Sequence, residues 1–348
     1  MRTRLFIPFV GLLVTFSVMG LRPWSAAASD PLSMLTADAH AGPEEQLVLD
    51  DIARAQREVT AATVFGTDDR VQIQDTTGPL WRTITFLLIY DRSNQLIGSC
   101  SGVFLNYNVV LTAAHCLYSG GSYEWSIVAA PGANAQGPAL GLATASQLAI
   151  PNGWADGAGK LPSGTPHEAS QFDWGLVTFS GDPFHGALAP YPFMAHADDS
   201  FFDAATTMIG TAGFPGDKPF GSMWAADSFE YFVDDTYLFT RVDIYPGQSG
   251  SPIFAIDDDD FFIFSVVSAG NDYANRSVRF TPPVLNALKS YCTQLGCSIK
   301  TYLWVGEQPG PSPSPSPSPA PTATPPSGPV VPESARKYRV AAPFLSRD

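Results

Sequence analysis

The feature that most limits how this chain can fold is a series of short strand-like runs between residues 64 and 305. These runs are rich in β-branched and aromatic residues, and the clearest lie at 83–90, 103–105, 109–111, 175–179 and 261–267. Gly, Pro, Asn and Asp separate the runs, and long helical patterns do not alternate with them. This texture predicts an all-β fold, built as a sandwich or as a pair of barrels.

Two segments carry helical patterns instead. At 282–291, two prolines suited to a first helical turn precede apolar residues at helical spacing, which predicts a helix that closes the domain. From Pro43 onward, a proline and two acidic residues precede Leu47, Val48 and Ile52, which predicts a short amphipathic helix before the main domain.

The chain begins with the features of an export signal. Residues 1–28 combine an arginine-bearing start, an uncharged apolar run and the small residues AAA at 26–28, as signal peptides do. A retained membrane anchor is the alternative, although the run is short for a span that takes about 20 residues. We interpret residues 29–63 as a propeptide that is later removed, with an extension packed on the domain as the alternative. We therefore expect a secreted protein whose mature chain has no membrane span.

The chain ends with a linker and a short tail. Residues 306–329 are dominated by alternating proline and serine, which predicts an extended, semi-rigid polyproline II spacer. Residues 330–348 are basic and apolar. The tail could attach the protein to a cell surface or could have no such role, and the sequence leaves both interpretations open.

Charge and cysteine content limit the partners of the protein. The formal net charge is −14 and the basic residues concentrate at the two ends, which argues against a nucleic-acid partner. An even number of cysteines in an exported chain favours two disulfides, and the four cysteines are Cys100, Cys116, Cys292 and Cys297. The last two follow the predicted C-terminal helix, where a disulfide could tie off its end. No CxxC pair or histidine-rich segment accompanies them, so we expect no metal bound by these cysteines. We also expect no other cofactor and a monomeric protein.

Three separated segments supply the groups of a nucleophilic hydrolase. Residues 247–252 read GQSGSP and contain Ser249, residues 112–116 read TAAHC and contain His115, and Asp173 precedes a strand-like run. A serine hydroxyl needs a base within hydrogen-bond reach, and that base needs a third group to fix its tautomer. The three segments offer these groups in the order His, Asp, Ser. An α/β-hydrolase is excluded because its serine comes first.

The serine segment also offers an oxyanion site. The backbone N–H groups of Gly247 and Ser249 could converge on the oxygen of a tetrahedral intermediate. Glycine at this position allows the sharp turn that aims its N–H at that oxygen.

The histidine and serine segments resemble the signatures of the chymotrypsin-like serine peptidases. Gln248, the Ser-Pro pair at 251–252 and the sequence at 64–70 resemble the bacterial glutamyl endopeptidase branch in particular. The resemblance covers residues 64–300. It implies two six-stranded antiparallel β-barrels, with the site between them and with proteins or peptides as substrates.

The resemblance also implies a role for each candidate residue. His115 would be the general base, Asp173 its orienting carboxylate and Ser249 the nucleophile. A disulfide between Cys100 and Cys116 is implied as well, and it would help to hold the base in place.

The sequence departs from the glutamyl enzymes in the groups that select the substrate. In those enzymes a histidine just before the segment that pairs with substrate backbone contacts the glutamate, whereas here no histidine follows His196. The corresponding segment is 267–270, in which Ser268 and Gly270 are the predicted substrate-binding residues. Asp243 lies six residues before the nucleophile, the offset of the pocket carboxylate in trypsin-like enzymes, so it predicts basic substrates as an alternative.

Activation is expected to differ from that of trypsin. Gln248 stands where trypsin has the aspartate that binds the new N-terminus, so we expect cleavage near Thr63–Val64 with the freed N-terminus near the pocket. Residues 246–247 read Pro-Gly, as in the staphylococcal exfoliative toxins, where this peptide can be flipped in the resting state. A flip would remove one oxyanion donor.

An acidic run at 257–260 suggests calcium binding, because hard cations favour carboxylates. We favour a solvated hairpin tip, since consecutive acidic residues do not converge easily on one ion.

The leading interpretation is a secreted serine endopeptidase that acts through an acyl-enzyme. A catalytically silent member of the same fold, used as a surface or binding module, is the alternative. The enzyme is favoured because all three triad candidates are retained.

Overall fold

The structure is a computed structural model, which describes residues 30–55, 64–157, 168–203, 207–229, 231–257, 260–270 and 274–304. The signal peptide predicted at 1–28, the linker at 306–329, the tail at 330–348 and Thr63 of the expected cleavage site lie outside these residues. Within the described part of the chain, no helix has both the length and the apolar character needed to cross a membrane.

Short strands dominate the fold, as the sequence predicts. Numbered in chain order, they are β1 (Met34–Asp38), β2 (Val71–Gln72), β3 (Ile84–Tyr90), β4 (Leu96–Phe104), β5 (Val109–Thr112), β6 (Tyr118–Ser119), β7 (Ser122–Tyr123), β8 (Ser126–Pro131), β9 (Ala133–Asn134), β10 (Gly137–Pro138), β11 (Ala143–Thr144), β12 (Gln147–Pro151), β13 (Gly175–Thr178), β14 (Phe193–Ala197), β15 (Ile209–Gly213), β16 (Trp224–Ser228), β17 (Tyr231–Val233), β18 (Tyr237–Thr240), β19 (Pro252–Asp257), β20 (Asp260–Gly270), β21 (Asn275–Arg279) and β22 (Lys300–Trp304).

Most strands belong to two curled, mainly antiparallel sheets. The first sheet has the order β1-β12-β13-β5-β4-β3-β8-β11. The second has the order β17-β18-β21-β20-β19-β15-β16-β2, and β14 and β22 join it in parallel pairings. The expected all-β fold of two barrels is confirmed. The sheets hold eight and ten strands because short strands, and β1 from the N-terminal segment, add to the barrels.

The described helices are few and short. They are α1 (Glu45–Ala55), α2 (Asn152–Asp156), α3 (Asp199–Asp203) and α4 (Pro282–Gln294). The prolines at the start of α4 occupy its first turn, where a missing N–H breaks no helical hydrogen bond. Both predicted helices are confirmed, since α1 begins after Pro43 and α4 closes the domain.

One cluster of buried side chains joins the two sheets. Phe86 on β3 meets Phe214, which follows β15, with ring centroids 4.9 Å apart. Trp174, next to the candidate aspartate, is fully buried in the same cluster. Packing of this kind holds the sheets together and positions the loops that meet between them.

The described part of the N-terminal segment packs against the first sheet and against the cluster that joins the two sheets. β1 pairs with β12, and α1 buries Val48 and Ile52, which are 1% and 4% exposed. Burial of side chains of this size contributes about 2 kcal/mol each. Removal of the segment stays a prediction.

The acidic run at 257–260 lies at the turn between β19 and β20. Asp257 pairs with Asp260 across the two strands, which agrees with a hairpin tip. Residues 258–259 lie outside the described part.

Candidate active site

Two paired strands bring the predicted histidine and aspartate together. β5 ends at Thr112, three residues before His115, and it pairs with β13, which begins two residues after Asp173. Gly175 lies opposite Thr112 in this pairing. A Cβ on Gly175 would lie 2.8 Å from Leu117 Cδ1, so glycine permits the close approach of the two segments.

Asp173 holds His115 through two hydrogen bonds. The backbone N–H of His115 donates to Asp173 Oδ1 at 2.9 Å, and His115 Nδ1 lies 2.8 Å from Oδ2. The hydroxyl of Ser268 donates to the same Oδ2 at 2.6 Å. Asp173 is only 2% exposed. A carboxylate bonded to Nδ1 favours the tautomer whose Nε2 can accept a proton.

The charge of Asp173 also changes how readily His115 takes up a proton. Burial lowers the pKa of His115, because it disfavours the charged ring. The negative charge and the hydrogen bond of Asp173 outweigh this effect, so the pKa of His115 is raised above its ordinary value of 6.5. An imidazolium formed at His115 is therefore stabilised.

Ser249 lies in the loop between β18 and β19, and this loop is tied to both sheets. Its carbonyl accepts a hydrogen bond at 2.8 Å from the N–H of Ser101 on β4. The N–H of Gly250 donates at 2.8 Å to the carbonyl of Val267 on β20. Gly250 has a φ of +82°, and a Cβ there would lie 2.1 Å from Thr112 Oγ1. The serine loop thus packs against the end of β5, the strand that leads to the histidine.

The peptide between Pro246 and Gly247 has a defined orientation. The N–H of Gly216 donates to the Pro246 carbonyl at 2.8 Å, and the peptide is trans. Because the C=O and N–H of a trans peptide point in opposite directions, the Gly247 N–H points away from Gly216. Gly247 has a φ of +102°, and a Cβ there would lie 2.6 Å from the Phe214 carbonyl oxygen. Only glycine fits this conformation without strain.

Sequence reasoning missed Ser101, which braces the next peptide, between Gly247 and Gln248. Its fully buried hydroxyl donates to the Gly247 carbonyl at 2.9 Å and accepts from the Phe214 N–H at 2.9 Å. No local motif marked Ser101, whose partners at 214 and 247 are distant along the chain.

Asp243 is buried and faces the start of the main domain. Its Oδ1 accepts a hydrogen bond from the Phe65 N–H at 2.9 Å, and its Oδ2 accepts one from the Asp69 N–H at 3.2 Å. Asp243 therefore binds Phe65, the residue directly after Val64, which is the predicted first residue after cleavage.

Asn275 on β21 bridges the two segments that the resemblance assigns to the substrate pocket. Its Nδ2 donates to the Val242 carbonyl at 2.7 Å, and Val242 is next to Asp243. Gly270 lies opposite Asn275 in the β20–β21 pairing, and a Cβ on Gly270 would lie 2.1 Å from Asn275 Oδ1. Asn275 is 4% exposed. Sequence reasoning missed this residue too, and no local motif marked it.

Both expected disulfides are present. Cys100 on β4 is bonded to Cys116, the neighbour of His115, and Cys292 in α4 is bonded to Cys297. The first bond ties β4 to the turn that carries the histidine.

The donor chemistry around the histidine does not suit a metal ion. Among the described residues, the one group of three nearby His, Cys, Asp or Glu side chains is Cys100, His115 and Cys116. Both sulfurs are joined in the disulfide, so neither is available as a thiolate ligand.

Comparison of sequences relates the chain to known proteases. The Trypsin family model matches residues 85–154. An extracellular metalloprotease of Bacillus subtilis (strain 168) is 28% identical over 238 residues, which cover 67% of this chain and 71% of that protein. A glutamyl endopeptidase of Bacillus licheniformis is 30% identical over 195 residues, which cover 55% of this chain. The match spans 54% of the length of that endopeptidase.

Comparison of structures supports the fold. A Glu endopeptidase solved in complex with MPD has a TM-score of 0.55 and 22% identity, and the match covers 66% of this chain and all of that one. The protease Anisep from Arthrobacter nicotinovorans has a TM-score of 0.50 and 16% identity, over 64% of this chain and 99% of that one.

Proposed function

We propose that this chain, a chymotrypsin-like serine endopeptidase similar to the bacterial glutamyl endopeptidases, cleaves peptide bonds with Ser249 as nucleophile, His115 as general base and Asp173 as the carboxylate that orients the base. The observation that carries the assignment is the hydrogen-bond chain from Ser268 through Asp173 to His115. The loop that carries Ser249 packs against the end of β5, three residues before His115.

The arrangement supports acyl transfer in two stages. Ser249 Oγ attacks the carbonyl carbon of the scissile peptide, and its proton passes to His115 Nε2. His115 returns this proton to the leaving amine as the C–N bond breaks, which leaves an ester on Ser249. Water then attacks the ester and gives a proton to His115. The same proton returns to Ser249 Oγ as the carboxylic acid leaves.

The oxyanion of each tetrahedral intermediate would be bound by the backbone N–H groups of Gly247 and Ser249. The orientation of the Pro246 carbonyl toward Gly216 supports a Gly247 N–H that is already turned to the opposite side. This geometry favours a preformed oxyanion site over the flipped peptide that the Pro-Gly sequence suggested. Each such donor contributes about 3 kcal/mol to transition-state stabilisation.

The name of the Bacillus subtilis relative raises the question of a metal-dependent mechanism. The residues near His115 do not fit a hydrolytic zinc site, which takes three protein ligands, because both neighbouring sulfurs are in the disulfide. We therefore derive no catalytic step through a metal ion.

We propose that the protein is exported and then cut near residue 63. The signal-like sequence at 1–28 and two disulfides suit an oxidising compartment outside the cytosol. After the cut, Val64 would carry the new amino group one residue from Phe65, whose N–H is bound by Asp243. The hydrogen bonds of Asp243 favour a role in holding this segment over a contact with a basic substrate.

We propose a short primary pocket that prefers small uncharged side chains. Asn275 spans the gap between Val242 and Gly270, the segments that would form the pocket walls. The pocket histidine of the glutamyl enzymes is absent, and Asp243 is engaged elsewhere. Matched peptides with Ala, Phe, Glu or Arg before the scissile bond should be cleaved best with Ala. A preference for Arg would restore Asp243 as the pocket carboxylate.

The function is tested by hydrolysis of a protein substrate by the processed enzyme and by its Ser249→Ala and His115→Ala variants. We expect activity in the wild type, loss in both variants and no effect of EDTA. Activity retained by Ser249→Ala, or abolished by EDTA, would overturn the assignment. An inactive wild type would favour the silent binding module.

A further inference from the structure

We propose that residues 30–55 stay bound to the barrel domain after the chain is cut near residue 63, so that the processed protein is a complex of two chains. In this view the N-terminal segment is a permanent structural partner and is not released as a propeptide. The proposal rests on the contacts of the segment and is independent of the catalytic assignment.

The first set of contacts is an edge strand. β1 (Met34–Asp38) pairs antiparallel with β12 (Gln147–Pro151) over its whole length, from Met34 opposite Pro151 to Asp38 opposite Gln147. β12 pairs on its other side with β13, which follows Asp173. Loss of β1 would leave the outer edge of β12 without its backbone partners along the whole strand.

Hydrogen bonds continue beyond both ends of this strand. Before it, the carbonyls of Pro31 and Ser33 accept from the N–H groups of Gly153 and Asn152, both at 2.8 Å. After it, the Ala39 N–H donates to the Ser146 carbonyl at 2.9 Å. The backbone of the segment is therefore bonded to the domain along residues 31–39.

Side chains reinforce the same contact. The rings of His40 and Trp125 are stacked, with centroids 3.4 Å apart and an interplanar angle of 10°. The hydroxyl of Tyr123 donates to the Leu35 carbonyl at 2.7 Å. Partners on the domain side thus come from β7, the turn after it, β12 with Ser146 before it, and the start of α2.

Helix α1 adds an apolar contact at a different place. Val48 and Ile52 are buried members of the core cluster that joins the two sheets. Ile52 Cγ2 would lie only 3.6 Å from a Cβ on Gly221, in the second half of the chain. Burial raises the pKa of the Tyr90 hydroxyl on β3, and the nearby carboxylate of Asp51 raises it further, which places Asp51 beside this strand.

The position of the cut explains why these contacts would survive it. Every contact described above is made by residues 31–52, and every partner lies after residue 63. A break near residue 63 removes the covalent connection but none of the hydrogen bonds, the ring stack or the buried side chains. Dissociation would have to expose the β12 edge and the apolar surface under α1 together.

The test uses the chain from residue 29 onward with Ser249→Ala, which prevents self-cleavage, and with a recognition sequence for a site-specific protease in place of residues 57–62. After complete cleavage, size-exclusion chromatography and native mass spectrometry report whether the pieces separate. We expect both pieces in one peak and in equal amounts, and their separation in guanidinium chloride. Elution of the small piece by itself in native buffer would refute the proposal. Because the readout is association of the two pieces and not catalysis, neither outcome depends on the proposed function.

A matched pair of variants separates specific packing from nonspecific adhesion. Val48→Asp with Ile52→Asp places charges on the buried face of α1, whereas Leu47→Asp places one on the same helix at a residue that is 36% exposed. We expect the cleaved double variant to release its small piece and the control to retain it. Equal retention in both would refute the assigned helix contact. If the double variant does not fold, Val48→Ala takes its place, and we expect its small piece to dissociate about tenfold faster than that of the Leu47→Asp control.

Discussion

Asp173→Asn is the substitution whose effect the geometry of the site constrains most closely. Asp173 Oδ1 accepts from the backbone N–H of His115, while Oδ2 faces both His115 Nδ1 and the Ser268 hydroxyl. In the variant, the amide oxygen can keep the first bond, so the amide nitrogen takes the place of Oδ2. The amide nitrogen then donates to His115 Nδ1 and to the hydroxyl oxygen of Ser268, so no buried group loses its partner.

This exchange reverses the tautomer of the histidine. With a donor facing Nδ1, the ring proton of His115 moves to Nε2, which can then no longer accept the proton of Ser249. The expected loss in kcat is about 10⁴-fold, the size of effect that this exchange has in serine peptidases, or about 5.4 kcal/mol. Thermal stability should change little, because the hydrogen bonds are exchanged and not broken.

The pH dependence gives a second readout with a defined sign. The charge of Asp173 raises the pKa of His115 above 6.5, against the lowering effect of burial. Since the neutral ring is the base, kcat/KM of the wild type should rise with pH through a value above 6.5. Without the charge, burial remains, so the residual activity of the variant should rise at a lower pH. The free energy of unfolding should change with pH in the opposite direction to kcat/KM. The raised pKa of His115 stabilises the wild-type fold below pH 6.5, and this contribution is lost as the pH rises through the pKa of the folded state.

Ser268→Ala is the control for this prediction. It removes one hydrogen bond from the carboxylate but keeps the charge, so kcat/KM should fall only about tenfold and the wild-type pH midpoint should persist. Steady-state kinetics on one peptide from pH 5 to 9 would measure both variants. A loss below tenfold in Asp173→Asn, or an unchanged pH midpoint, would refute the proposed role of Asp173.

Three further substitutions test other parts of the account. Gly247→Ala should reduce kcat about 10²-fold with less change in KM, because a Cβ would lie 2.6 Å from the Phe214 carbonyl and displace an oxyanion donor; an active variant would contradict this. Replacing Cys100 and Cys116 with serine should lower the free energy of unfolding in urea by about 3 kcal/mol, as expected for a loop of this length. Asn275→Ala should raise kcat/KM for Phe relative to Ala before the scissile bond, and an unchanged ratio would argue against a pocket closed by Asn275.

Local sequence patterns predicted most of the fold. Four of the five β-rich runs correspond to β3, β5, β13 and β20, the run at 103–105 meets only the end of β4, and the proline-started pattern at 282–291 corresponds to α4. These elements were predictable because strand and helix propensity agree with the tertiary structure there. β1 was not predicted, since its sequence MLTAD is only partly buried and its strand conformation depends on pairing with β12.

The candidate site was partly predictable for a related reason. His115 and Ser249 stand in short motifs, so the sequence alone pointed to them. Ser101 and Asn275 act through partners more than 30 residues away along the chain, at 247 and 242. Such contacts exist only when the sheets have paired, and a single sequence contains no pattern that reports them.

Asp243 shows that its position six residues before Ser249 is not enough to assign its role. Its distance from the nucleophile along the chain suggested a pocket carboxylate. The structure instead bonds both of its oxygens to backbone N–H groups at residues 65 and 69. These partners lie 178 and 174 residues from Asp243 along the chain, so only the folded structure reveals them.

The most direct test of the central claim is covalent labelling of the processed protein with a fluorophosphonate, followed by mass mapping of the modified peptide. If Ser249 is activated by His115, the reagent should modify one residue per molecule, that residue should be Ser249, and His115→Ala should abolish labelling. Absence of labelling in the wild type, or equal labelling of Ser249→Ala, would contradict the account.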